Sequence, residues 1–288
     1  MFFIVYGIVS FETLPWACRL VNFGYAAEVL GAKVAVDVAC HPHSMTSHAC
    51  NVISQLLSRG EPYTSPPNPS HPNEESSRRP STPVSSSDVS DLSPLPYEEF
   101  ELEDKRPRFI AGANQLAITL MNINSVWHPC ITYGQFHTWD GKTPILTGPP
   151  RFYEGVDDFT ADVLNEVSNE ILFVKEALLG GHPHLDLDVV RHVGTWILEA
   201  YGNNIVDKST LRTCITSNKA YAGLSHPMVP ASTEGLGLVP DISHRFWVED
   251  LPCGLVATRG IAELAGVDTP TMDSVIMVSK TSSCSFFI

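Results

Sequence analysis

Basic side chains are scarce: 18 Lys and Arg stand against 32 Asp and Glu, a formal charge of −14 over 288 residues. A surface of that sign repels phosphodiester backbones and anionic lipid, which argues against nucleic acid and membrane as partners. The sequence also lacks any run of about eighteen apolar residues, the length a membrane-spanning helix needs. The seven cysteines are odd in number and show no Cys-x-x-Cys spacing. That argues against a disulfide framework and for a reducing, cytoplasmic compartment. His41-Pro-His43 and His182-Pro-His184 have no Cys or carboxylate at ligand spacing beside them, so both read as surface loops and no metal is expected. The apolar start Met1–Val9 has no positive charge before Arg19 and no small-x-small cleavage site after it, which reads as a buried strand and not as a signal peptide.

What is present divides the chain in three. Hydrophobic residues make up 43%, enough for cores of ordinary domain size. Residues 2–9 and 33–39 are continuous apolar runs rich in β-branched types, as in strands buried on both faces. Ser10 to Arg19 reads as a turn broken by Pro15, and Ser44 to Ser58 as a helix with one apolar face. This order is α/β in character. Half of residues 60–97 are Ser or Pro, a composition unable to bury enough surface to offset ordering entropy, so a disordered insertion over 60–105 is expected. From Arg106 the pattern turns helical. Segments 113–123, 156–179, 188–201, 209–222 and 249–265 carry apolar residues at helical spacing, and Thr269-Pro270 opens another.

Within this frame one histidine stands out. His128 precedes Pro129, and proline disfavours the α region for its predecessor, so an extended loop with a fixed imidazole is expected. Histidine suits proton transfer near neutrality. By itself the feature is more often that of an ordinary loop residue. Three further stretches accompany it: Glu12-Thr13-Leu-Pro15-Trp16-Ala-Cys18-Arg19, Asn218-Lys-Ala-Tyr221-Ala-Gly223-Leu-Ser-His226-Pro227, and His244-Arg245-Phe-Trp-Val-Glu249-Asp250-Leu-Pro252. In their order and spacing these four stretches resemble the opine dehydrogenase family, of the octopine/nopaline dehydrogenase type, over residues 8–40 and about 110–276.

The resemblance implies a fold, an α/β fragment plus an all-α part. Residues 1–59 would be the C-terminal part of a Rossmann nucleotide-binding domain, and 106–288 an all-helical catalytic and substrate domain. It implies an oxidoreductase that condenses an amino acid with a 2-oxo acid such as pyruvate and reduces the product with NAD(P)H. It makes His128 the catalytic acid and base, Asp250 its partner and Arg245 the group that binds a substrate carboxylate. Thr13, Cys18 and Trp196 are implied as substrate contacts. These roles are chemically sound. A carboxylate on one ring nitrogen fixes the tautomer of a histidine and steadies its imidazolium form, and a guanidinium presents a planar fork to a carboxylate. Read without the resemblance, Asp250 is better taken as a helix N-cap and Arg245 as a surface ion-pair partner, and Trp196 at least as well as a core residue. Cys130 is set aside as a nucleophile because neighbours in an extended segment point to opposite faces.

Two features depart from the family pattern. No Gly-x-Gly-x-x-Gly turn follows a strand and opens a helix; Gly235-Leu-Gly237 fails that context. The cofactor-binding residues are therefore unknown, and the 288 residues alone are expected not to hold NADH usefully. Met277 to Ile288, rich in Ser, stands where an amphipathic helix is expected. Alternatives from other classes are a non-catalytic amino-acid or oxo-acid binding protein, and an interaction protein that exposes its Pro-rich residues 60–97.

Overall fold

The computed structural model describes residues 8–22, 26–57, 107–111, 114–231 and 237–282. The Ser/Pro-rich segment lies outside these residues. Strands β1 (Ile8–Phe11), β4 (Ala35–His41) and β5 (Arg108–Ala111) form one sheet in the order β1-β4-β5, with β1 antiparallel and β5 parallel to β4. Strands β2 (Trp16–Asn22) and β3 (Ala26–Ala32) pair as a separate antiparallel hairpin, and α1 (Thr46–Leu57) follows β4. The central strand β4 is buried on both faces, with Val36, Val38 and Ala39 fully covered. Of the strand expected over residues 2–9 only Ile8 and Val9 lie within the described residues, and Ile8 is 60% exposed, β1 having one neighbour among the described residues. The expected turn over residues 10–19 is short, and chain on both sides of Pro15 is extended in β1 and β2.

The helical part begins with α2 (Gln115–Leu120), capped by the Asn114 side chain, and α3 (Ile123–Phe136). Here the structure overturns one reading. His128 lies on a helix, not in an extended loop, and Pro129 sits inside that helix. An interior proline removes one backbone hydrogen bond and costs about 3 kcal/mol. Burial outweighs it, since Val126, Trp127, Cys130 and Ile131 are each at most 2% exposed. The long helix α4 (Asp158–Gly181) starts where expected, its first turn capped by Asp157, and buries Leu164, Val167, Ile171 and Val174. Helix α5 (Val193–Tyr201) begins five residues later than expected, with the His192 ring accepting from Gly194 N. The helix expected over 209–222 divides into α6 (Leu211–Thr216) and a 3-10 turn, Lys219–Tyr221, where the Asn218 side chain accepts from Ala220 N.

A π-helical segment, Phe246–Leu255, leads into α7 (Val256–Ala265), which ends at Gly266 in the left-handed region. Asp250 is therefore a full turn inside a helix and not at its start. Helix α8 (Pro270–Ser282) runs through residues expected to depart from helix, up to the end of the described chain. Its first turn is held by buried Glu170 of α4, whose carboxylate accepts from Thr271 N at 2.7 Å and Met272 N at 3.0 Å. The sheet and the helices meet at bonded contacts: Ile123 N donates to Glu12 O, and Val34 N to Ala200 O. Among the described residues no helix is long and apolar enough to cross a membrane.

Candidate active site

Helix α3 and the π-helical segment are pressed together where Gly254 faces Ser125. A Cβ on Gly254 would stand 2.3 Å from that of Ser125, so only glycine permits this approach. One turn along, the same contact brings His128 Nδ1 to 2.7 Å from Asp250 Oδ2. The pair is about nine-tenths buried. Phe246 stacks on the imidazole with ring centroids 3.8 Å apart, and Phe152 meets it edge-on at 5.8 Å. With Nδ1 occupied by the carboxylate and the plane fixed by the two rings, Nε2 is the nitrogen left for a substrate.

Burial pushes the His128 pKa below its ordinary value, against the opposing pull of Asp250. The ring is accordingly neutral at pH 7, with its proton on Nδ1 toward Asp250. Arg245, at the N-terminus of the π-helical segment, holds its Nε 4.0 Å from the same Asp250 oxygen, and its side chain is 44% exposed. A carboxylate thus stands between an imidazole and a guanidinium, and the guanidinium keeps most of its donors free.

His128 and Arg245 line a cavity of about 640 Å³ together with Thr13, Cys18, Lys33 and Trp196. The structure gathers at this one cavity every residue named from the sequence except Asp250, which stands behind His128. Thr13 is buried and Cys18 exposed, on the segment joining β1 to β2 and on β2 itself. Trp196 is 1% exposed in the helical core, packs edge-on to Trp127, and also forms cavity wall. Cys130 is fully buried, and burial raises its thiol pKa far above neutrality, so it is no nucleophile. Gly237 has φ +94 and precedes Leu238–Pro240, a short strand paired antiparallel with Met228–Pro230, so it opens no helix. Among the described residues no group of three or more His, Cys, Asp or Glu could hold a metal.

Sequence reading missed three contributors. Phe246 holds the plane of His128; its spacing of four from Asp250 was the available signal. Lys33 enters the cavity from the junction of β3 and β4, with nothing in its local sequence to mark it. Glu12, 1% exposed, is tied into the sheet by Asp37 N, accepts from Trp196 Nε1 at 3.4 Å and faces Arg191 Nη2 at 3.5 Å.

The family model described as "NAD/NADP octopine/nopaline dehydrogenase, alpha-helical domain" matches residues 111–282. The tauropine dehydrogenase of Arabella iricolor is 32% identical over 269 residues, covering 93% of this chain and 56% of that protein. The octopine dehydrogenase of Pecten maximus is 34% identical over 271 residues, covering 94% and 55%. A solved octopine dehydrogenase structure with NADH and L-arginine superposes with a TM-score of 0.67 at 30% identity, covering 96% of this chain and 56% of that one. The chain thus spans about half the length of the relatives it matches. Its small sheet and α1 fit a remnant of a Rossmann domain, and its helices the all-helical domain. The chain belongs to the octopine/nopaline dehydrogenase family.

Proposed function

We propose that this chain carries the substrate half of an opine dehydrogenase-like enzyme, one that joins the amino group of an amino acid to a 2-oxo acid such as pyruvate and reduces the product with NAD(P)H. The observation that carries the reading is the 2.7 Å contact of His128 Nδ1 with Asp250 at the wall of a cavity that also receives Arg245. In condensation the substrate nitrogen attacks the carbonyl carbon, two protons pass in turn from the nitrogen to the former carbonyl oxygen, and that oxygen leaves as water. Neutral His128 takes each proton at Nε2 and delivers it to the oxygen, first to form the hydroxyl and then to release it, while Asp250 stabilises the imidazolium in between. Arg245 receives the carboxylate of the oxo acid through its free donors. Thr13, Cys18 and Trp196 shape the space for the amino substrate.

Bound NAD(P)H supplies the hydride that reduces the resulting imine. The residues present fit only part of that cofactor. The aromatic-walled cavity has room for a nicotinamide ring. The glycine turn at a helix N-terminus that holds a pyrophosphate has no counterpart among the described residues. The test joins this chain to the N-terminal half of the Pecten maximus octopine dehydrogenase. The fusion is expected to oxidise NADH only when an amino acid and pyruvate are both supplied. His128→Gln in the fusion should lower turnover by at least about 10³-fold while NADH binding stays nearly intact. Equal loss of both would make His128 a structural residue and refute the reading.

A further inference from the structure

The cavity has an unusual charge balance for a chain of net charge −14. Its wall contains two cations, Lys33 and Arg245, and no Asp or Glu among the described residues. The two enter from different elements: Arg245 heads the π-helical segment, and Lys33 lies between β3 and β4. Lys33 is held rigidly. Its backbone N donates to Pro15 O, the next residue's N donates to Ala200 O, and its side chain donates to Leu14 O. The ammonium lies 5.4 Å from the centroid of the Tyr201 ring. It is 5% exposed, and among the described residues no carboxylate lies within ion-pairing distance of it. A buried lysine is usually paired. One carbonyl and a ring face leave further ammonium donors for something else.

We propose that Lys33 is the second anion-binding group of this cavity, receiving the acid group of the amino substrate while Arg245 receives that of the oxo acid. This rests on the two-substrate reading above. Joining an amino acid, or an aminosulfonate, to a 2-oxo acid gives a secondary amine with an acid group at each end. The cavity then matches its ligand charge for charge. The indole N–H of Trp127, buried in the same wall without a partner, is a further donor for an oxygen-rich ligand. Burial lowers the Lys33 pKa to about 8, with Glu12 and Cys18 pulling it back up. An arriving anion therefore raises that pKa and draws a proton onto the lysine. The cavity selects amino substrates whose second functional group is acidic or uncharged near Lys33, and disfavours a cationic side chain directed there.

The probes are iminodiacetate, which has the doubly acidic secondary-amine skeleton, and pyruvate, which has one acid group. Each is titrated calorimetrically into the 288-residue chain. Lys33→Met is expected to weaken iminodiacetate binding at least tenfold and to leave pyruvate binding within about twofold; Lys33→Arg should restore most of the loss. Independently, the Lys33 ammonium pKa in the unaltered chain, followed by NMR, should rise from about 8 when iminodiacetate is added. This second measurement decides the matter if Lys33→Met does not fold. Failure of iminodiacetate to bind, equal weakening of both probes, or an unmoved lysine pKa would each overturn the proposal. Arg245→Met reports on the underlying reading separately: pyruvate binding indifferent to that change removes the dehydrogenase assignment, whatever Lys33 does.

Discussion

Asp250 affects His128 in two opposed ways, and the balance fixes what its loss should do. As a hydrogen-bond acceptor it holds the proton on Nδ1; as a negative charge it favours the imidazolium, against the burial that disfavours it. Asp250→Asn removes the charge and invites the wrong tautomer, because an amide N–H can donate to Nδ1 and push the proton to Nε2. Turnover of the fusion should fall by about 10³-fold or more with little change in the KM for pyruvate, whose carboxylate we assign to Arg245. The pH–rate profile of the parent fusion should lose activity on the acid side through a pKa below 6.5, since a protonated His128 has no lone pair for the substrate proton. In Asp250→Asn that acid limb should move lower still, the raising influence having gone. An unmoved limb would mean that it reports some other group.

Residues of this kind were legible as a set because each sits in a short run of unusual composition: His before Pro, Arg five before Asp, Thr-Leu-Pro-Trp after Glu. Lys33 was not, because a single lysine between two strands is marked only by what folds over it. The conformation of His128 was misread for a related reason. The preference of a residue before proline is local, whereas Val126, Trp127, Cys130 and Ile131 together form a buried helical face that only the assembled core reveals.

At the scale of elements, the site depends on how closely helices can approach. Helix α3 is clasped on two sides by glycine contacts. A Cβ on Gly134 would fall 2.1 Å from Thr160 Oγ1 of α4, and one on Gly254 would fall 2.3 Å from Ser125 Cβ. Neither glycine has a left-handed backbone, so the requirement is space and not φ. The helical segments on either side of α3 were visible in the sequence as periodic apolar patterns, but their distance from α3 was not, since spacing along one helix contains nothing about its neighbour. The two contacts should separate function from stability. Gly134→Ala strains α3 against α4 far from the reacting atoms and should destabilise by about 1–3 kcal/mol while kcat of the folded fraction is kept. Gly254→Ala pushes the Asp250 segment off α3, so a comparable loss of stability should come with a fall in kcat of about 10²-fold. Denaturation and initial-rate measurements on the two variants check this, and equal kcat in both would show that helix separation does not set the His128–Asp250 contact.

On the scale of the molecule, sheet and helices are joined through a partly buried charge cluster. Arg191, just before α5, faces Asp37 of β4 at 3.1 Å, Glu12 at 3.5 Å and Glu199 at 2.7 Å. Glu12 is the most deeply buried of the three acids, and burial raises its pKa from 4.5 to about 7, with Arg191 opposing and Asp37 reinforcing the rise. A carboxyl raised in the folded state contributes stability that is fully present below its unfolded pKa and is lost as pH rises through about 7. The span from 4.5 to about 7 corresponds to about 3 kcal/mol as an upper order of magnitude. The buried His226, held down to about 3 between Phe136 and Phe152, acts in the opposite sense: the stability tied to its neutral ring is lost as pH falls below 6.5. The raw pH dependence of melting therefore mixes the two, and a difference between variants separates them. Glu12→Gln keeps an oxygen for Asp37 N and Trp196 Nε1 but has no charge to bury. His226 is common to both proteins and cancels. The melting temperature of Glu12→Gln relative to the parent should rise by several degrees between pH 5 and pH 8, because only the parent must ionise a buried acid over that range. A relative melting temperature that instead falls toward pH 8 would show that attraction to Arg191 outweighs the desolvation of Glu12, and that the join between sheet and helices is held by the ion pair itself.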